Sequence, residues 1–266
     1  MFPPSTFPTI SLGSPANLSS TTSKSSSQQS PPPPPPAATV NSVLTAIQNS
    51  SSPLHHIRHP SEQLLQQWSD SYLHHHTSGH YLTTLLYIID WESNAASTGV
   101  TEVEESSRLM AAILFKNCIP KAFSVPIDTL LEEQQQQQFT AAAAASSSHD
   151  DNVTIAQQQQ QQRTFIEQLT QERTIIRQTL PKLLFFRGVR RTTSNNNDAT
   201  LMLQLQLALS NIALFDFPVG WPSLLEELMH VVKNGGSGGG VIRVRAIKAL
   251  RMCLSCIRHR KIVVNK

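Results

Sequence analysis

The chain has 266 residues, only 39% of them hydrophobic, and a formal charge of +3 from 21 basic and 18 acidic side chains. Long low-complexity tracts make the part able to bury a core smaller than the length suggests. Three cysteines, odd in number and set among apolar residues, exclude a disulfide framework and point to a reducing compartment.

The charge is unevenly spread. Residues 1–60 carry Lys24 and Arg58 and no acid, residues 241–266 carry eight basic groups and no acid, and eleven basic against eighteen acidic groups remain between them. An acidic body suits basic partners, although an ordinary solvated face explains any single charge equally well. Residues 1–40 are rich in Ser, Thr and Pro, with six consecutive prolines, and cannot repay their ordering entropy, so a disordered tail is expected. The tail has no apolar stretch of the secretory kind. It is Ser-rich and acid-free like some plastid transit peptides, but Lys24 is the one basic residue before the proline run ends. No run reaches the roughly 18 apolar residues of a membrane span.

The first helix is predicted over 40–49, with Val43, Leu44 and Ile47 on one side; it is too short to stand alone. After Pro53 a second helix carries Leu64, Leu65, Trp68 and Tyr72 on one stripe, with Pro60 at a kink or in the first turn. A third, over 78–90, is apolar at Tyr81, Leu82, Leu85, Leu86 and Ile89. A polar loop at 92–101 leads to RLMAAILFKNCIPKAF at 108–123, apolar nearly all the way round a helical wheel. Met110, Ile113 and Leu114 make one face with Val103, while Leu109, Ala112 and Phe115 cover another, so this helix needs neighbours on two sides. Arg108 and Lys116, about 80° apart, are left as its polar edge. Pro120 predicts a stop near Cys118.

Residues 124–160 break this rhythm with Gln, Ala and Ser runs far longer than the usual helix connection of about two to eight residues, and read as an insertion. Glutamine and alanine favour helix, so the second Gln run is able to extend the next helix. That helix carries Ile166, Leu169, Ile176, Leu180, Leu183 and Leu184, with Pro181 as a kink. A basic, Asn-rich loop at 187–197 ends on Asp198 as N-cap. Leu201, Leu205, Ala208, Leu209, Ile212 and Phe215 then form a stripe that stops at Pro218. In DFPVGWPSLLEEL, which comes next, Gly220 frees the turn, Trp221 plugs a gap between stacked units, and Pro222 suits the first turn of the next helix. After the Gly-rich 234–240, a last helix over 241–257 is predicted to bury Val244, Ile247, Ala249, Leu250, Leu254 and Ile257.

Four of these stretches, in this order, resemble the karyopherins, the importin-β family of nuclear transport receptors, and within them the importin-eleven group. They are HPSEQLLQQW, the Arg108 to Ile119 segment with its Lys-Asn-x-Ile, ERTIIRQTLPKLLF, and DFPVGWPSL. The resemblance implies an all-α fold, a right-handed α-solenoid of HEAT-like helix pairs, with units 1–2 in 41–123 and units 3–4 in 161–266. It covers only the N-terminal part of such receptors, so a fragment or truncated product is expected. The resemblance also implies binding of the small GTPase Ran in its GTP form, transport of cargo with basic segments, contact with phenylalanine-glycine nucleoporins, and shuttling between nucleus and cytoplasm. Arg108, Lys116 and Asn117 match positions that would touch Ran, although Arg108 is equally placed to pair with Glu104 and Asn117 to cap a carbonyl end. Trp68, Pro218, Trp221 and Pro222 are assigned to packing. No enzyme and no cofactor is implied, since nucleotide and magnesium belong to Ran.

Other constellations give less. Cys253 and Cys256 with His259 have metal-ligand spacing but lack a second pair, and read as core residues. The tracts His55, His56, His59 and His74, His75, His76, His80 sit at helix ends in polar sequence. No phosphate loop or nucleophile elbow occurs. The dense cations from Arg243 to Lys261 could meet nucleic acid or form the solvated side of an amphipathic helix. Two alternatives therefore stand beside the receptor: a HEAT-type scaffold without Ran dependence, and a nucleic-acid-binding repeat protein.

Overall fold

The apolar stripes become helices. The computed structural model describes residues 38–74, 80–91, 103–124, 149–186, 196–235 and 239–259, with isolated positions between 127 and 136, and every regular element among them is helical. These elements are α1 (Val40–Ser50), α2 (His55–His74), α3 (Tyr81–Ile89), α4 (Glu105–Phe123), α5 (His149–Phe186), α6 (Asn196–Asp216), α7 (Leu224–Asn234) and α8 (Gly239–Arg258). The tail to residue 37, the loop at 92–101, most of the insertion before His149, and most of the Asn-rich loop lie outside the described residues.

Local chemistry sets several ends. Thr39 is extended and its hydroxyl accepts from the Ser42 amide at 3.3 Å, capping α1. His80, at φ 66°, takes the left-handed conformation that histidine tolerates better than most residues, and its carbonyl accepts from the Thr84 amide to start α3. α4 runs through Pro120 to Phe123 instead of stopping near Cys118. Ile119, Ala122 and Phe123 are buried, and Arg173 Nη2 donates to the Ala122 carbonyl at 2.5 Å, so packing and a borrowed donor outweigh the bond that proline removes. Pro60 and Pro181 likewise lie inside helices. α5 begins at His149 and carries the second Gln run, giving 38 residues or about 57 Å of helix.

Two further expectations are corrected. α6 starts at Asn196, so Asp198 lies in its first turn, and its carboxylate accepts from Arg245 Nη2 of α8 at 3.3 Å. In α8 the buried residues are Ile242, Ala246, Ala249 and Cys253, while Val244, Ile247 and Leu254, expected inside, are about half exposed at 51, 51 and 47%. The small side chains of Ala246, Ala249 and Cys253 allow close approach to α6 and α7, and Val244, Ile247 and Leu254 are left facing out.

One continuous core takes in buried residues from Ala38 to Cys253. α1 packs on α2, α3 on α4, α5 on α6 and α7 on α8. The second helices of these pairs meet in sequence, α2 on α4, α4 on α6 and α6 on α8, and α1 meets α3, which meets α5. Every substantial contact among the described helices falls within a pair or between pairs adjacent in the chain, and α4 against α6 is the most extensive. α6 is long and apolar enough to cross a membrane by length and composition, but half of that segment is buried in this core.

Phe115 is fully buried on α4, whereas Asn117 on the same helix is exposed. Phe115→Ala should lower unfolding free energy by about 3–5 kcal/mol, against about 0.5 kcal/mol or less for Asn117→Ala, as read from urea denaturation.

Candidate functional site

The three α4 residues singled out from sequence do not form one patch. Arg108 is buried, at 8% exposure, on the side shared by Ser107, Ala111 and Phe115, and is not the polar edge the wheel suggested. Lys116 is half-buried and Asn117 exposed. Lys116 lies about 12 Å further along the axis from Arg108 at about 1.5 Å per residue. The edge of α4 is thus split between an inward arginine and an outward Lys-Asn pair.

The four packing residues are divided as well. Trp68 is fully buried, its ring 5.9 Å from that of Tyr81 at a tilt of 37°. Burial first, and the neighbouring Cys118 second, push the Tyr81 phenol well above the ordinary tyrosine range. Trp221 is buried and its indole N–H donates to Glu227 Oε1 at 3.3 Å, an oxygen that also accepts from Ser223 Oγ at 2.6 Å. Pro218, joined to Phe217 by a cis peptide bond, and Pro222 are exposed. Pro222 stands in the turn before α7 and not in its first turn.

A polar cluster the sequence did not announce lies where α4, α5 and α6 converge. Arg177 Nε and Nη2 donate to Asp216 Oδ2 at 2.9 and 2.7 Å, and Asp216 is 6% exposed. The Asp216 backbone carbonyl also accepts from the amides of Gly220, at 2.6 Å, and Trp221, at 3.2 Å, so this residue closes the turn between α6 and α7. A Cβ at Gly220 would stand 3.0 Å from both Arg177 Nη2 and Asp216 Oδ1, which makes this glycine a requirement of the ion pair as much as of the turn. One turn back on α5, Arg173 stacks over the Phe123 ring at 4.8 Å. Glu172, 3% exposed, accepts from the Thr83 amide at 3.0 Å. α5 therefore ties α3, α4, α6 and the α6–α7 turn together through three charged side chains. Phe123, Phe215, Val219 and the two arginines line a cleft of about 210 Å³ beside Asp216.

A signal for this cluster was present. Arg173 precedes Ile176 and Leu180 by three and seven residues, so a charge sits on the core stripe of α5, and Arg177 comes one turn later. A charge on an otherwise apolar stripe is buried only with partners; Arg173 has the Ala122 carbonyl and the Phe123 ring, and the aspartate opening DFPVGWP serves Arg177.

Among the described residues no three His, Cys, Asp or Glu side chains are placed to hold a metal ion. His55 and His59 stack with ring centres 5.2 Å apart on the exposed start of α2. Cys118, Cys253 and Cys256 are free thiols. Burial pushes the Cys253 thiol up to about 12, with Cys256 adding to it and a backbone hydrogen bond opposing. Burial likewise raises Cys118, against the pull of its hydrogen bond to Ser69 Oγ at 3.3 Å and of nearby Lys121.

No protein-family model, curated protein or solved structure matches this chain.

The ion pair and the buried thiol each carry an expected outcome. Arg177→Met leaves the buried Asp216 carboxylate without its partner and should cost about 3–5 kcal/mol in urea unfolding, whereas adding Asp216→Leu should recover a large part of that loss. A thiol whose folded pKa is raised stabilises the fold fully below its unfolded value, here about 9, and loses that contribution as pH rises toward about 12. Stability measured from pH 8 to 12 should therefore fall less steeply in Cys253→Ala than in the parent, while the two curves run parallel below about pH 9.

Proposed function

We propose that the chain is the N-terminal part of an importin-β-type nuclear transport receptor, built as a right-handed α-solenoid of four HEAT-like pairs. The observation that supports this most is the order of helix contacts: among the described helices, pairs touch only their chain neighbours in any substantial way, and the second helices α2, α4, α6 and α8 meet in series. A stack of repeats requires this pattern and a closed globule does not. The four sequence stretches that resemble karyopherins fall in α2, α4, α5 and the α6–α7 junction, in the family's order.

In this reading the early pairs bind Ran in its GTP form, and basic segments of cargo meet the acidic body of the chain. Phenylalanine-glycine nucleoporins would guide passage between cytoplasm and nucleus. Ran-GTP and cargo oppose each other by linkage, so a receptor loaded on one side of the envelope releases on the other. Lys116 and Asn117 are the α4 candidates with surface to offer a partner, and Arg108 keeps 8% of its own. That burial is also the observation favouring the second reading, a HEAT-type scaffold without Ran dependence.

The immobilised 266-residue chain should capture Ran locked with a GTP analogue at least about tenfold better than Ran-GDP, a difference of about 1.4 kcal/mol. Lys116→Ala with Asn117→Ala should weaken that capture. Equal capture of both forms, or none, would favour the scaffold, and preference for the GDP form would overturn the receptor reading.

A further inference from the structure

The cleft beside Asp216 has walls of two kinds. Phe123 of α4, Phe215 of α6 and Val219 of the α6–α7 turn make an apolar side, and Arg173, Arg177 and Asp216 make a charged one. Two arginines against one aspartate leave that lining with a single positive charge in excess. Asp216 takes the Nε–Nη2 edge of Arg177, while Nη1, on the other edge of the guanidinium, bonds to no described residue. The Arg177 side chain keeps 21% of its surface open. The turn at the rim is held by the Asp216 carbonyl and leaves no free space for a Cβ at Gly220. Val219 on that turn, at 77%, is the most exposed large apolar side chain among the described residues.

We infer that this cleft binds a carboxylate carried on a short apolar body, about the size of one amino-acid residue. This goes beyond the transport reading and does not rest on it. At about 210 Å³ the space falls below the roughly 300–1,000 Å³ of sites for drug-sized ligands, which limits the occupant to a small acid or a single residue. A guanidinium edge pairs with a carboxylate by parallel N–H bonds, and the two phenylalanine rings with Val219 cover the body behind it. The single excess charge suits a monoanion. A phosphate monoester, at about −1.5 to −2, would leave negative charge beside Asp216, which at 6% exposure is poorly screened. The walls are fixed in advance: Arg173 is tied to the Ala122 carbonyl and stacked over Phe123, and Arg177 is tied to Asp216, so binding orders little. The carboxylate could be that of a free small acid or the C-terminal group of a peptide ending in an apolar residue.

The test is an amide NMR titration of the 266-residue chain with phenylacetate. The amides of Val219, Gly220 and Trp221 should shift saturably, with a Kd of about 1 mM or tighter for so small a ligand. Phenylacetamide, of the same shape without the charge, should bind at least about tenfold more weakly. Val219→Asp should lose about tenfold or more of the phenylacetate affinity, and Val219→Lys should keep or raise it. Both variants should retain the parent circular dichroism, because Val219 is 77% exposed, so the contrast between them reads charge at the cleft and not folding. A short peptide ending in phenylalanine, compared with its C-terminal amide, separates the two sources: displacement of phenylacetate by the free-acid peptide alone identifies a chain terminus, and displacement by neither identifies a small free acid. Equal binding of acid and amide, shifts that do not saturate or that centre away from the cleft, or equal losses in the two Val219 variants would overturn the inference. So would displacement of phenylacetate by an equal concentration of inorganic phosphate.

Discussion

Helix α4 gives water one narrow face, that of Ser106, Asn117, Pro120 and Lys121, and buries the rest wholly or in part. Ala111, Ala112, Phe115, Cys118, Ile119, Ala122 and Phe123 are buried, and Leu109, Met110 and Leu114 pack partly against the same core. A helix of that composition is stable only if other helices cover it from several directions. α1, α2 and α3 do so from the preceding part of the chain and α6 from the later part, with the α6 contact the largest in the structure. The remaining architecture comes from satisfying this one element. Residues on either side of the low-complexity stretch are obliged to come together, because the helices before it and those after it share α4 as their common core.

The charged cluster on α5 makes that assembly specific. Apolar contact between α4 and α6 is tolerant of sliding, since one aliphatic ridge packs much like the next. Arg173 on the Ala122 carbonyl, Glu172 on Thr83 and Arg177 on Asp216 each work at one register only. Their effect lies in the penalty for losing a partner: a buried charge without compensation costs far more than the intact pair contributes. By contrast, the Lys121–Asp70 bridge between α4 and α2, at 2.6 Å but with both side chains about half exposed, adds about 1 kcal/mol or less.

Periodicity made the existence and order of the helices legible, most clearly in α1, α3 and α6, where the residues expected inside are those found there, Phe215 only in part. It failed where one of two conditions held. In α8, Ala249 is buried as expected and Leu250 and Ile257 are partly so, but Val244, Ile247 and Leu254, chosen for their bulk, face outward, and Ile242, Ala246 and Cys253 take the inner places instead. In α4 and α5, the deciding facts were tertiary: a proline spanned by packing on both sides, and arginines turned inward because acids and carbonyls from other helices waited there. Arg108 was read as an edge residue for the same reason, as its wheel position was visible and its neighbours were not. The residues proposed to meet Ran rest on resemblance, and only Lys116 and Asn117 retain the surface for it.

Clasped between the helices before it and α6, α4 should be the most strongly held part of the chain. Native-state hydrogen exchange tests this directly, residue by residue. The amides of Ala111 to Phe115 in α4 and of Leu205 to Leu209 in α6 should exchange only through global unfolding, with α7 and α8 opening at lower cost. Exchange of those α4 amides through local openings, as fast as or faster than α8, would show that the fold is not organised around this helix.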